Sequence, residues 1–367
     1  MEKTAGASRP FLLTSTPEMM AREGLVSDML PREDGLRQDT GKGKFEWWYF
    51  DAQLDDGSKI VVVVLTKPII ASGGPLAPKV EITLTKANGE IISDWSYPEP
   101  GEFSASREAC EVRAGATKVS GDLETYSLEV SGKILKADLT FKRIVPSWRA
   151  GAGKVYFDAE LSSYMGWVVP LPRASVTGTI TGPEGEKAVK GEGYHDHNWG
   201  NYPIENVFDY WFWGRARIGA YTVLFFDGVG SKRWGAAHLP LFMLAKDEAI
   251  IVREASDYSV LPSEMVEDGA KHGRAYPRRL LVSQSGEGVK ATFSFSDPRI
   301  TERDDMLSSA APKFLVPLLR PLMNPWYYRF EASLDASIEL AGAGAEDRIH
   351  GAGLYEMMLF GKASGLA

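Results

Sequence analysis

Apolar and polar residues alternate with a two-residue step along most of this chain, in runs of five to ten residues separated by Gly, Pro, Asn and Asp. That period belongs to strands with one wet face and one dry face, whereas no long stretch repeats every 3.6 residues. Phe45 to Pro68 shows the pattern best: two apolar runs flank Asp55-Asp56-Gly57, which predicts a β-hairpin. Further strands are expected at Lys79 to Thr85, Ser104 to Arg113, Leu123 to Val130, Ile134 to Lys142 and Val155 to Leu161. Val145 to Asp158 reads as a loop entering the last of these, and Tyr164 to Thr181 as a hydrophobic connection and another strand, whose first part Pro170 and Pro172 make a loop or bulge rather than a central ladder. In the second half the strand-like runs are Phe208 to Val229, Trp234 to Leu244, Ala249 to Tyr258, Arg279 to Ser283, Val289 to Ser296, Trp326 to Glu339 and His350 to Phe360. Met306 to Leu319, broken by Pro312 and Pro317, reads as a short helix or an apolar loop.

The pattern divides the chain into an irregular arm (1–44), with one short helix near Glu18 to Arg22 and its first ten residues disordered, and two β domains (45–204 and 205–367). KADLTFKR followed by VKGEGYHDHNWG is loosely echoed by VKATFSFSD followed by RIHGAGLYEMMLF, which suggests two related sheet modules. The fold class expected is all-β.

Composition adds little to this picture. The 367 residues carry a formal charge of -8, which disfavours nucleic acid as a partner. Cys110 is the single cysteine, so no internal disulfide forms. No apolar span is long enough for a transmembrane helix, and the start of the chain lacks the apolar core of a signal peptide, so a cytoplasmic location is expected. No GxGxxG precedes a helix, and the Gly151-x-Gly153-Lys154 run lacks the spacing of a phosphate loop. His238, His272 and His350 are isolated.

The chemistry concentrates in GEGYHDHNWG, Gly191 to Gly200. On a strand, His195 and His197 share one face while Tyr194, Asp196 and Asn198 share the other. The histidines read as an acid/base or substrate-orienting pair, or as a structural polar network; two ligands without further Cys or His nearby make a weak metal signal, and no metal is expected. Asp196 either orients a histidine or, if desolvated, serves as an acid, and Trp199 offers a ring to a cation or to the core. In FEWWYFDA the alternation sets Glu46, Trp48 and Phe50 against Trp47, Tyr49 and Asp51. Glu46 is then either a carboxyl raised toward proton donation by indole surface or a paired structural acid. Asp209, Trp211, Trp213 and Arg215 alternate with Tyr210 and Phe212, placing two indoles and a guanidinium on one face, for packing or for a ligand. Glu356 sits among apolar neighbours, at a rim or in a structural pair.

FEWWYFDA, VPSWRAGAGKVYF, GEGYHDHNWG and WFWGRARIGAYT, in this order, resemble the lipocalin-like superfamily of carotenoid 1,2-hydratases and fungal decalin-forming Diels-Alderases, from about Lys44 to the C-terminus. VPSWRAGAG and GWVVPLPR resemble the cyclase branch more closely. The resemblance implies two lipocalin-like β-barrel or β-sandwich domains with a ligand cavity between them, and a hydrophobic unsaturated small molecule as substrate. The reaction expected is a stereoselective intramolecular [4+2] cyclisation without a cofactor, with Tyr49, His197, Trp213 or Arg215 donating to a carbonyl of a polar head group. The alternatives are hydration of a terminal alkene, with Glu46 or Asp196 as the acid, Trp47 and Trp199 against the cation and His195 or His197 orienting water, and a non-catalytic carrier. Trp211 and Glu356 complete the expected binding residues.

Overall fold

The computed structural model describes residues 11–13, 15–68, 72–270, 273–286, 288–310, 313–342 and 346–361; the first ten residues, His272 and Pro312 lie outside them. The chain is built almost wholly of antiparallel strands in two sheets, and it divides into two compact units. One unit comprises Leu13–Tyr156 and Glu160–Pro203; the other comprises Met1–Leu12, Phe157–Ala159 and Ile204–Ala367. Among the described residues no helix is long and apolar enough to cross a membrane.

The first unit contains β1 (Phe45–Leu54), β2 (Lys59–Leu65), β3 (Lys79–Thr85), β4 (Ile91–Ser96), β5 (Phe103–Ala105), β6 (Cys110–Ala114), β7 (Thr117–Gly121), β8 (Thr125–Ser131), β9 (Lys136–Arg143), β10 (Trp148–Tyr156), β11 (Tyr164–Gly182) and β12 (Gly185–Gly200). Their order across the sheet is β4-β3-β2-β1-β12-β11-β9-β8-β7-β6-β5, with β10 also on β11. The second unit contains β13 (Phe208–Ile218), β14 (Tyr221–Gly230), β15 (His238–Lys246), β16 (Ala249–Val252), β17 (Ser259–Val266), β18 (Tyr276–Gly286), β19 (Val289–Asp305), β20 (Trp326–Leu340) and β21 (Glu346–Leu359). Their order is β16-β15-β14-β13-β21-β20-β19-β18-β17.

In each sheet, then, the first long strand pairs with the last, and the neighbours outward follow the same sequence. The two segments that echo each other in sequence occupy equivalent places: β9 with β19, and β12 with β21. Matching Gly191 and Gly193 to Gly351 and Gly353 carries the match through the ladder: Asp196 pairs with Tyr49, Glu356 with Trp213. Trp47 therefore corresponds to Trp211, Tyr49 to Trp213 and Asp51 to Arg215.

The alternation predicted most of these elements, and the hairpin at Phe45–Leu65 is present with its expected turn. Several boundaries differ for physical reasons. Ser104 to Arg113 is two short strands, and Ala249 to Tyr258 contains only the short β16 before β17 begins. Val145 to Asp158 is mostly strand: Gly151 and Gly153 take positive φ of 51° and 71°, and the register of β10 on β11 shifts between Arg149 and Lys154, so a glycine bulge had looked like a loop. Tyr164–Gly182 is one central strand despite its prolines. Its register against β12 shifts between Val168 and Leu171 and again between Leu171 and Ala174, so Pro170 and Pro172 fall where the ladder is already interrupted. Met306 to Leu319 contains two short helices, Met306–Ala310 and Val316–Leu319.

Each sheet wraps its own apolar core. Trp48, Phe50, Tyr126, Leu128, Leu139 and Phe141 lie at the centre of the first; Phe212, Phe225, Phe293, Phe295, Phe330 and Tyr355 lie at the centre of the second. The arm is not a loose lead-in. From Leu13 onward it belongs to the first unit, and it places Glu33, Asp34 and Gln38 among the buried residues.

Candidate functional site

β12 carries two different environments on its two faces. His195 and His197 point into the first unit's core, where His195 stacks on Phe50 with ring centroids 3.8 Å apart and His197 on Trp48 at 4.6 Å. Asp34, delivered by the turn after a short helix at Pro31–Glu33, reaches both: Oδ2 is 3.0 Å from His195 Nε2, and Oδ1 lies 3.3 Å from His197 Nδ1, a charge contact outside good hydrogen-bond geometry. His197 Nε2 lies 2.8 Å from Glu46 Oε1, and the Tyr49 carbonyl accepts from His195 Nδ1 at 2.9 Å. The Arg37 and Gln38 amides donate to the two oxygens of Glu46 at 2.7 and 2.9 Å, while Tyr126 Oη and Trp48 Nε1 donate to Asp34 Oδ2 and to its carbonyl at 2.5 and 3.0 Å.

Three of the four ring nitrogens thus have a hydrogen-bond partner, while His197 Nδ1 keeps only its charge contact with Asp34. Burial opposes the charge on His197, yet Asp34 and Glu46 outweigh it and raise its pKa. Burial likewise opposes the charge on Asp34, and the two histidines hold its carboxyl well below the usual range. Setting opposite charges against one another is how ionisable groups persist in a core. The acids and histidines of this cluster pair mainly with one another, on the face of β12 turned to the first unit's core. Asp34, Cys110 and His195 also bring a carboxylate, a thiol and an imidazole within 4.8 Å of one another. Burial pushes the Cys110 thiol up, with Asp34 adding to it, and His195 and Tyr126 share Asp34 Oδ2. Trp199 continues the same face of β12; its ring lies on Gly166, where an added Cβ would sit 2.1 Å from the indole.

The opposite face is of another kind. Asp196 Oδ2 accepts from Trp167 Nε1 at 3.0 Å and from Tyr194 Oη at 2.8 Å, and its Oδ1 accepts from Asn198 Nδ2 at 2.8 Å. Tyr49 donates to Asp51 at 2.8 Å and packs edge-on to Tyr194, and Trp148 packs edge-on to Trp167. Trp47, Tyr49 and Trp167 are half-buried and Asp196 is buried, yet none of them belongs to the apolar core.

In the second unit the same construction recurs with different residues. Trp211 and Trp213 are buried outside that unit's core cluster, beside the half-buried Arg215. Glu356 pairs in register with Trp213 on one side and Arg329 on the other, and Arg329 Nη2 donates to it at 2.7 Å while Nη1 lies 3.1 Å from Glu302. Trp211 meets Phe226 and Phe360.

The candidate residues therefore fall into three groups: Glu46, His195, His197 and Trp199 toward the first core; Trp47, Tyr49 and Asp196 on the outer face of the same strands; and Trp211, Trp213, Arg215 and Glu356 on the outer face of the second sheet. Sequence reasoning missed Asp34 and Tyr126. Their one signal is stoichiometric: two inward histidines call for two inward acids, and the β1–β12 pair supplies only Glu46.

A family model described as carotenoid hydratase CrtC matches residues 151–262, which include β12 and the indole-rich β13. The quinolone epoxide rearrangement protein penF of Penicillium thymicola is 29% identical over 243 residues, 58% of this chain and 65% of that protein. Its counterpart asqO of Emericella nidulans is 26% identical over 200 residues, 51% of this chain and 54% of that one. The chain thus spans between about half and two thirds of the length of these relatives. The crystal structure of CghA with Sch210972 covers 96% of this chain and 98% of its own at a TM-score of 0.62 and 16% identity, a likeness of fold. The chain accordingly resembles the carotenoid hydratase family in sequence over residues 151–262 and has a lipocalin-like fold like that of CghA.

Proposed function

We propose that the protein is an enzyme that converts an unsaturated, largely apolar small molecule by cyclisation, held against the aromatic outer face of β1, β11 and β12. The observation that carries this reading is the division of β12: its inner histidines are paired with Asp34 and Glu46, whereas its outer face sets Asp196 among Trp47, Tyr49, Trp167 and Tyr194. Relatives named for quinolone epoxide rearrangement and a family named for carotenoid hydration support the class, because the first name describes bond reorganisation and the second water addition to an apolar polyene. The finer reading is an intramolecular [4+2] cyclisation. Aromatic walls fold diene and dienophile together and remove encounter entropy, and an isomerisation conserves atoms and electrons, so it calls for no redox partner. Tyr49 Oη is the donor this face offers to a substrate carbonyl, in exchange for Asp51. On the second sheet Trp213 and Arg215 are the corresponding donors.

Asp196 favours hydration as the second reading. A carboxylate beside indole faces stabilises a developing carbocation, and after protonation it supplies the acid that starts one. Hydration then runs through Asp196 and Trp47, not through the buried Glu46, His195, His197 and Trp199. Incubating the full chain with linear polyenes carrying a polar head group in ¹⁸O-water separates the two: cyclisation leaves product mass unchanged, and hydration incorporates label. Tyr49→Phe and Asp196→Asn are expected to lower turnover by about 10²-fold or more in the reaction that operates. Unchanged rate and stereochemistry in both variants removes the outer face from the chemistry.

A further inference from the structure

Lys313 to Met323 reads KFLVPLLRPLM and carries one of the most exposed groups of apolar side chains among the described residues. Phe314, Leu318 and Leu322 are 77%, 70% and 82% exposed, and Pro317 and Pro321 are exposed between them. The spacing of three and four residues lines all five along one side of a helical turn. A surface helix bathed in water normally turns its charges outward. Here Arg320, the one charge between Phe314 and Met323, does the opposite: it is largely buried, paired with Asp305 and hydrogen-bonded to Ser308 and Asn324. Only Lys313, at the end of the stripe, is a cation exposed beside it, where a long stem lets the ammonium stay in water.

The backbone matches the side chains. From Pro317 to Met323 every main-chain N–H is bonded within the segment: Leu318 and Leu319 donate to Leu315, Arg320 to Val316, and Leu322 and Met323 to Leu319. Pro317 and Pro321 have no N–H to satisfy. From Pro317 onward the stripe therefore has no unpaired main-chain donor and no outward charge, and this part of it loses little on leaving water. We infer that Phe314 to Leu322 is a lipid-contact knob, inserting its apolar stripe at the headgroup–hydrocarbon boundary of a phospholipid bilayer with the chain lying on the surface rather than crossing it.

The size of the knob argues against a second protein as its occupant. At about 200 Å² for a large apolar side chain, the three exposed residues offer on the order of 450 Å². A stable protein interface buries about 800 Å² per partner. Nor does charge point to anionic lipid, since the chain is net -8 and the stripe itself is uncharged. The inference stands apart from the proposed reaction, although a polyene dissolved in lipid gives such a contact a use.

Flotation of the full chain with phosphatidylcholine vesicles, in low and in high salt, tests it. The expected result is recovery of the protein with the vesicles in both, and at least tenfold weaker partition for the F314S/L318S/L322S variant at an unchanged melting temperature. Leu318→Ser alone, expected to weaken partition about threefold, serves if the triple change shifts the melting curve. Wild-type protein that stays out of the vesicles overturns the inference, as does equal binding by the variants or binding that high salt abolishes. A concentration-dependent dimer that the triple variant loses assigns the stripe to a second copy of the chain, and overturns it as well.

Discussion

At the scale of single residues, Asp34 illustrates how a core accepts charge. Its carboxylate touches His195, His197 and Tyr126 at once, with no side-chain exposure to speak of. Removing one partner of such a cluster leaves the other charges buried and uncompensated, which is worse than never having had them. Asp34→Asn is therefore expected to cost about 3–5 kcal/mol of unfolding free energy, read as a fall in the urea midpoint. Tyr126→Phe, which removes one donor from the same oxygen, is expected to cost only about 1 kcal/mol. Equal small losses in both would show that the cluster is solvated. Alternation in the sequence was enough to put His195 with His197, and Glu46 with Trp48 and Phe50, on one face each, without saying which face is inward. It had no means of finding Asp34, because an irregular arm has no period and Pro31-Arg32-Glu33-Asp34-Gly35 looks like turn chemistry. The arm follows close enough to Arg107 that a Cβ on Gly35 would lie 2.7 Å from its carbonyl, a tertiary contact that leaves no local trace.

Elements were legible where a single face is dry and obscure where the ladder changes register. The alternating β1, β3 and β9 were placed within a residue or two. β10 and β11 were not, because glycines with positive φ and prolines at bulges are local signs of a loop that pairing on either side overrides. The outer-face residues Tyr194, Asp196 and Asn198 were legible as a set, whereas Trp167 as a partner of Asp196 depended on the register that β11 keeps on the near side of its two bulges. Tight packing of these central strands makes a further prediction. A Cβ on Gly193 would meet Phe141 at 2.4 Å, Val176 at 2.7 Å and the Asp51 carbonyl at 2.7 Å, and the last is backbone that cannot move aside. Gly193→Ala is expected to destabilise by about 1–3 kcal/mol, whereas Gly101→Ala, with nothing within 4 Å, should be near neutral. Chemical denaturation of the two variants checks this; comparable losses would mean that β1 and β12 are further apart than the register implies.

Over the whole molecule, two sheets share one strand order but not one way of filling the core. Where the first has His195 and His197, the second has Tyr355 and Met357, both buried. Methionine does not titrate, and burial pushes the Tyr355 hydroxyl up, so it stays neutral. The two units should therefore respond differently to alkali. His197 has a pKa raised above its ordinary 6.5, so its contribution is complete below 6.5 and is lost as pH rises through the raised value. Deprotonation leaves Asp34 and Glu46 buried with less positive charge between them. At the acid end the depressed Asp34 contributes above its ordinary 3.8, and that contribution fades as pH falls below it. In the second unit His238 is also raised by Asp227, but its ring is more than half exposed and solvent screens most of the effect. Raising the pH from about 6 to about 9 should thus loosen Leu13–Pro203 selectively. Amide hydrogen exchange, corrected for its intrinsic pH dependence, is expected to accelerate across β1 and β12 by about tenfold for each ~1.4 kcal/mol lost, with β13 and β21 unchanged. Equal acceleration in both strand pairs, or a first unit indifferent to alkali, would mean that the histidines are neutral at rest and that Asp34 is held by something other than their charge.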